Sequence, residues 1–225
     1  MRLRLGFTGI LAFVFLSLPQ FAQAGEVLAD SDGGVLATSL RIAARDGRIK
    51  EVGRLLKRGA DVNATGEYGE TALLNACRSN HIKVAFMLLA AGADTDARDD
   101  RDDTPLMKAA MNCSSRISGA LISRDSNVNL TNYDGRSALI YAAMNGCVQV
   151  IQQLLSIKGI DVNIKDDSGH TALDYALEES QIEVGGPYTT IALALRAVGG
   201  KTAAFYIVPR SRTGPRLVNP ALVLP

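Results

Sequence analysis

Thr38, Thr71, Thr104, Ser137 and Thr171 stand 33, 33, 33 and 34 residues apart, and each opens the same phrase. Two residues later comes a leucine: Leu40, Leu73, Leu106, Leu139 or Leu173. Small residues follow at Ala43 and Ala44, Ala76 and Cys77, Ala109 and Ala110, Ala142 and Ala143, and Ala176. Four copies then carry a paired apolar position, at Leu55 and Leu56, Leu88 and Leu89, Leu121 and Ile122, and Leu154 and Leu155. The same four close on Gly59 to Asn63, Gly92 to Asp96, Asp125 to Asn129 and Gly159 to Asn163. A unit this short cannot bury its apolar faces alone, so the copies must stack into a solenoid.

Each position has a physical task. The Thr or Ser hydroxyl caps the helix that follows it, and Pro105 sits where a first-turn proline is tolerated. The spacing predicts a short first helix, Ser39 to Asp46 in the first copy, whose alanines let a neighbour approach. A second helix from Ile49 to Arg58 presents Ile49, Val52, Leu55 and Leu56 at helical spacing. Gly59 supplies the left-handed turn that ends it. Gly69, Gly135 and Gly169 mark tight turns before the next copy.

These phrases resemble the ankyrin repeat family: Thr38-Ser39-Leu40-Arg41-Ile42-Ala43-Ala44 stands where that family writes T-P-L-H-x-A-A. The likeness covers about residues 32 to 200. It implies an all-α ankyrin-repeat solenoid of about five helix–turn–helix repeats with short β-turn or hairpin connections. Arg41, Leu74, Met107, Ile140 and Asp174 replace the family's histidine, which removes a hydrogen-bonding group between repeats.

The ends depart from the pattern. Met1 to Ala24 reads as a secretory signal peptide, with Arg2 and Arg4 at its start, an apolar run to Leu18, and Ala22-Gln23-Ala24 before the cleavage point. Residues 25–37 are a lead-in, 38–200 the repeat domain, and 201–225 a basic tail with four prolines. Leu36 stands where later copies have a turn glycine. The last copy closes late, which places about seven extra residues near Glu178 to Tyr188, by comparison with the earlier copies. The tail reads as extended, with Ala203 to Val208 docking on the last repeat.

The 225-residue chain carries a net charge of +1, and 47% of it is hydrophobic, which excludes a disordered chain and a polybasic nucleic-acid binder. Without the leader and tail, 18 basic residues face 23 acidic ones, so the body is acidic. Neither nucleic acid nor a membrane surface is the expected target, and the mature chain is expected to be a monomer without stable membrane insertion.

No catalytic constellation, metal site or cofactor motif stands out. His81 and His170 fall in different repeats. Asp99 to Asp103 lacks the glycine and glutamate of an EF-hand loop, because Asp99 and Pro105 occupy those positions. Cys77 reads as buried. Packed helices lie about 8–10 Å apart, whereas a disulfide wants Cα atoms within about 7 Å. A Cys113–Cys147 bridge is therefore expected to be strained. The sequons at Asn63 and Asn129 coincide with the closing asparagine of the repeat.

The resemblance implies partner binding by the turn tips and the exposed side of the first helices. Those positions hold Glu67, Tyr68, Glu70 and Arg78 in repeat two. Repeat three offers Asp100, Arg101, Asp103, Met111 and Asn112. Repeat four offers Tyr133, Asp134, Arg136, Met144 and Asn145, and repeat five Asp167, Ser168 and His170. Tyr68 and Tyr133 sit where core packing requires no aromatic, Met111 and Met144 are expected to be neighbours, and the acidic rim predicts a basic patch on the partner. The reading is a non-catalytic scaffold, exported to the bacterial periplasm or, as the alternative, secreted, that binds one folded envelope or secreted protein and assists or protects an envelope enzyme. The alternatives are an immunity protein that occludes a toxin and a structural spacer.

Overall fold

The computed structural model describes residues 33–180, 186–202, 207–211 and 214–217. The signal peptide, most of the lead-in, the heart of the extra loop (181–185) and Ala203 to Tyr206 lie outside the described residues. Among the described residues ten helices follow in order: α1 (33–45), α2 (Ile49–Lys57), α3 (Ala72–Arg78), α4 (Ile82–Ala90) and α5 (Pro105–Met111), then α6 (Ser115–Ile122), α7 (Ala138–Met144), α8 (Val148–Leu155), α9 (Ala172–Ser180) and α10 (Pro187–Ala197). Beyond them, β1 (Ile207–Ser211) pairs antiparallel with β2 (Gly214–Leu217), Ile207 opposite Leu217. This part of the tail, expected to be simply extended, forms a hairpin.

The fold is the solenoid that the period demands. The first helices α3, α5, α7 and α9 pack side by side in one row, and α2, α4, α6, α8 and α10 in a second. Leu40, Leu73, Leu106, Leu139 and Leu173 are all buried between the rows, as are Leu55, Leu88, Leu121 and Leu154. Each fully buried leucine stabilises the stack by about 1.5–3 kcal/mol. Ala76, Ala109, Ala142 and Ala176 have no exposed surface, because the first helices pack directly against their neighbours.

Capping works as the hydroxyls suggest in repeats two to five. Thr71, Thr104, Ser137 and Thr171 accept from the backbone N–H of Leu74, Met107, Ile140 and Asp174, at 3.2–3.4 Å. The first copy differs. Helix α1 begins at residue 33 and runs through Thr38, so Thr38 is interior and instead accepts a bond from Arg41. Ile49 also departs from expectation: among the described residues no second helix precedes α2 to cover it, and it is exposed. At the other end, α9 and α10 lengthen to 9 and 11 residues and absorb part of the extra sequence expected in the loop.

Neighbouring repeats are joined by a recurring amide. Asn63 donates its side-chain N–H to the Gly92 carbonyl and accepts from the Asp94 N–H. Asn129 does the same with Gly159 and Asp161, and Asn163 with Gly199 and Lys201. The closing asparagine is thus a staple between successive copies.

Leu74, Met107 and Ile140, in the place of the family's histidine, are buried apolar side chains. Asp174, the last of the five, accepts from the Thr171 N–H, and the single proton of the Thr171 hydroxyl is shared between the Asp174 carboxylate and the Lys201 carbonyl, each 2.8 Å away. The last described helix pair is closed by these polar bonds.

Candidate functional site

The turn tips before each first helix line up along one side of the stack. Tyr68 offers its carbonyl to the Asp100 N–H, Arg101 to that of Tyr133, and Asp134 to that of Asp167, all at 3.0–3.1 Å. Gly69 is needed there: its φ is +67°, and a Cβ would come within 3.2 Å of the backbone at Asp99 and Asp100.

Between the tips and the first helices of repeats two and three lies an open groove of about 630 Å³. Tyr68, Asp100 and Arg101 form its outer wall, and Arg78, Met111 and Asn112 its helical wall. Glu70, Arg45, Asn75 and Lys108 complete the lining. Tyr68 is 62% exposed and Met111 39%. A large aromatic ring and a flexible thioether held open to water are suited to contact with a protein surface.

The floor of the groove is ionic. Lys108 is buried and holds Asp103 at 2.6 Å and Asp99 at 2.8 Å. Asp99 also accepts from the backbone N–H of Arg101 and Asp103, which turns the tip into a fixed loop. Burial pushes the Asp99 carboxyl up, but the Lys108 ammonium and those two N–H groups outweigh it, so it sits below the usual carboxylate value. Asp103 accepts in turn from the Asn132 side chain at 2.7 Å, and Asn132 donates to the Tyr141 hydroxyl at 2.9 Å.

The same register continues differently into repeats four and five. Tyr141 takes the place of Lys108 and is buried. Burial first, and the Asp103 charge second, push its phenol above the ordinary value. Tyr175 takes the equivalent place in repeat five and donates to Asp166 at 2.5 Å. Burial, together with that bond, pushes its phenol up to about 12. Asp166 itself is held low: burial pushes it up, but the Tyr175 hydroxyl and the N–H groups of His170 and Ser168 prevail.

The expected contact residues therefore separate. Tyr68, Glu70, Arg78, Asp100, Arg101, Asp103, Met111 and Asn112 come together around one groove. Glu67, Tyr133, Asp167, Ser168 and Asn145 are exposed elsewhere on the stack, and Asp134 is half-buried at a tip, paired with Arg101 at 3.2 Å.

Several of these residues serve the fold instead. Asp103 is 1% exposed and forms part of the floor, not the rim, because Lys108 draws it inward. The two N–H donors of the Asn112 amide are shared among the carbonyls of Cys77, Arg78 and Lys108, all within 3.1 Å, tying α3 to α5. Arg136 is half-buried beside Asp166 at 3.6 Å, and the half-buried His170 ring packs against Tyr175. Met144 packs partly into the core, and the Tyr188 hydroxyl donates to its carbonyl. Lys108, Asn75 and Arg45 went unpredicted; the position four after each marker, variable in type from copy to copy, could have found Lys108 and Asn75, and Arg45 stands seven after Thr38, the position that holds Arg78 and Met111 in the next two copies.

Cys113 and Cys147 form a disulfide with Cα atoms 4.9 Å apart, inside the ordinary range. The expected separation does not arise, because both cysteines sit in helix–helix turns and the spacing between helix axes does not govern them. Cys77 is fully buried, and burial pushes its thiol up. His81 opens α4 and bonds to the Arg45 carbonyl at 3.0 Å. Among the described residues, no His, Cys, Asp and Glu cluster could hold a metal ion, and no helix is long and apolar enough to cross a membrane.

A family model for ankyrin repeats, written as three copies, matches residues 21–99, 40–132, 88–166 and 106–185. The chain belongs to the ankyrin repeat family. Its repeats make it a protein–protein interaction module, and ankyrin repeats are typically non-catalytic. Comparison with curated proteins finds no match. In ankyrin terms, the groove lies between the turn tips and the first helices, on the concave side of repeats two and three.

Proposed function

We propose that the chain is an exported, non-catalytic scaffold that binds one folded protein through the concave groove of repeats two and three. It works as a monomer in the bacterial periplasm, where it assists or protects an envelope enzyme. The groove carries this reading: Tyr68 and Met111 stand open there, although the fold has no use for their exposure. Export is supported by the charged and apolar start of the sequence and by the Cys113–Cys147 disulfide, which persists in an oxidising compartment.

The test is affinity capture from a periplasmic extract with the intact protein and with a Tyr68→Ala, Met111→Ala variant that remains folded by circular dichroism. The expected result is one dominant partner, identified by mass spectrometry, and its loss from the variant. Equal recovery by both would move the contact away from the groove. N-terminal sequencing of envelope-extracted protein is expected to begin at Gly25; an intact leader on cytoplasmic protein would overturn the export.

A further inference from the structure

We infer that the groove over repeats two and three takes an acidic segment of its protein partner, with carboxylates on the groove's arginines and an apolar side chain between Tyr68 and Met111. This rests on the reading of the groove as the binding site and adds the chemistry of what enters it. It also reverses the expectation from sequence, in which an acidic rim called for a basic partner.

The reversal follows from where the charges are committed. Asp99 and Asp103 are almost fully buried, and their oxygens already take Lys108, Asn132 and two backbone N–H groups. Glu70, only partly exposed, accepts from the Tyr68 N–H at 3.0 Å and lies 3.9 Å from Arg41. These acids face inward and have little left to offer a partner. Lys108 is committed to the same network.

The arginines are in the opposite condition. The side chains of Arg45, Arg78 and Arg101 are 61%, 55% and 63% exposed. Their ion pairs are with Asp46 at 3.2 Å, Asp99 at 3.4 Å and Asp134 at 3.2 Å, through one nitrogen each. A guanidinium carries five N–H donors in a fork that matches a carboxylate, so most of this capacity faces the groove and solvent. Asp100 is the one exposed acid in the lining. The accessible surface of the groove is thus donor-rich and cationic, although the body as a whole is acidic.

That contrast also selects among anions. An extended polyanion such as nucleic acid would run from the groove onto an acidic body and be repelled. A short protein segment places a few carboxylates on the arginines and nothing beyond, and it supplies the apolar contact that Tyr68 and Met111 await.

A random dodecapeptide library displayed on phage, panned against the immobilised full chain, tests this. Enriched peptides are expected to be net negative with an aromatic or aliphatic residue. Their affinity should fall by about tenfold or more for the Arg45→Glu, Arg78→Glu, Arg101→Glu variant. The Arg→Gln triple variant, with no charge turned against Asp99, should show a smaller loss, and Tyr68→Ala, Met111→Ala should weaken the same peptides. Circular dichroism checks each fold. Neutral or basic peptides that still depend on Tyr68 and Met111 would overturn the acidic segment and leave the groove standing. Peptides indifferent to all these variants would overturn both, and a library without enrichment would overturn the acidic segment alone.

Discussion

Four residues after its marker, repeat two carries Asn75 and repeat three Lys108, while repeats four and five carry Tyr141 and Tyr175. All four side chains face the space between the first helices and the turn tips. In the C-terminal pair a phenol ring fills that space and its hydroxyl completes a hydrogen-bonded tip, with Asn132 or Asp166. In the N-terminal pair a slender amide and an ammonium stem leave room above them, and the groove opens there. One position, varied in bulk on a constant backbone, decides which part of this repeat array is a packed wall and which is an open groove.

The sharpest way to break this contrast is at Lys108. Lys108→Met leaves Asp99 and Asp103 buried without their cation, and should destabilise the protein by about 3–5 kcal/mol in urea unfolding. Tyr141→Phe removes only one hydroxyl from the same register and should cost about 1 kcal/mol. If both substitutions cost the same, the ionic floor is not what distinguishes the two pairs.

The leucine rows should be indifferent to the contrast. Leu88→Ala in repeat two and Leu154→Ala in repeat four both empty fully buried sites and should each cost about 2–5 kcal/mol. An unchanged denaturation midpoint for Leu88→Ala would remove that row from the core.

The disulfide joins the two pairs across the boundary between repeats three and four. Reducing it should lower stability by about 2–4 kcal/mol. Thermal melts with and without dithiothreitol, set against a Cys113→Ser, Cys147→Ser variant, measure this. A variant that still shifts with dithiothreitol would assign the effect elsewhere.

The pH limits should separate the halves. Asp99 and Asp166 are held below the ordinary carboxylate value, so each contributes stability that is complete above about pH 4 and is lost as the pH falls through the lowered folded value. Tyr175 is raised to about 12, so its contribution is complete below its unfolded value, near pH 10, and is lost as the pH rises through 12. Hydrogen exchange should show acid loosening tips in both halves, and alkali above about pH 10 loosening the Tyr175 tip of the C-terminal one. The smallest effect is expected at the surface: Tyr133, 70% exposed at its tip, should change to Ala within about 0.5 kcal/mol.

The spacing of markers, leucines and alanines was enough to determine the solenoid, its helix pairs and its buried rows, because each is set within one copy and repeated. Thr71 and Ser137 cap for a reason local to three residues. Thr38 does not, because α1 already begins at residue 33 and runs through it. The site was legible only in outline. The turn tips and the exposed helix side could be named from the family pattern, but not which charges there remain available. Asp103 and Asp100 look alike in the sequence; one is folded under Lys108 and the other faces water. Cys113 and Cys147 are 34 residues apart, yet stacking one copy on the next brings their Cα atoms to 4.9 Å. Periodicity and capping act along the chain and can be read there. Burial, ion pairing and the open groove depend on what the neighbouring repeat, about 33 residues away, places opposite each side chain, and only the tertiary structure decides that.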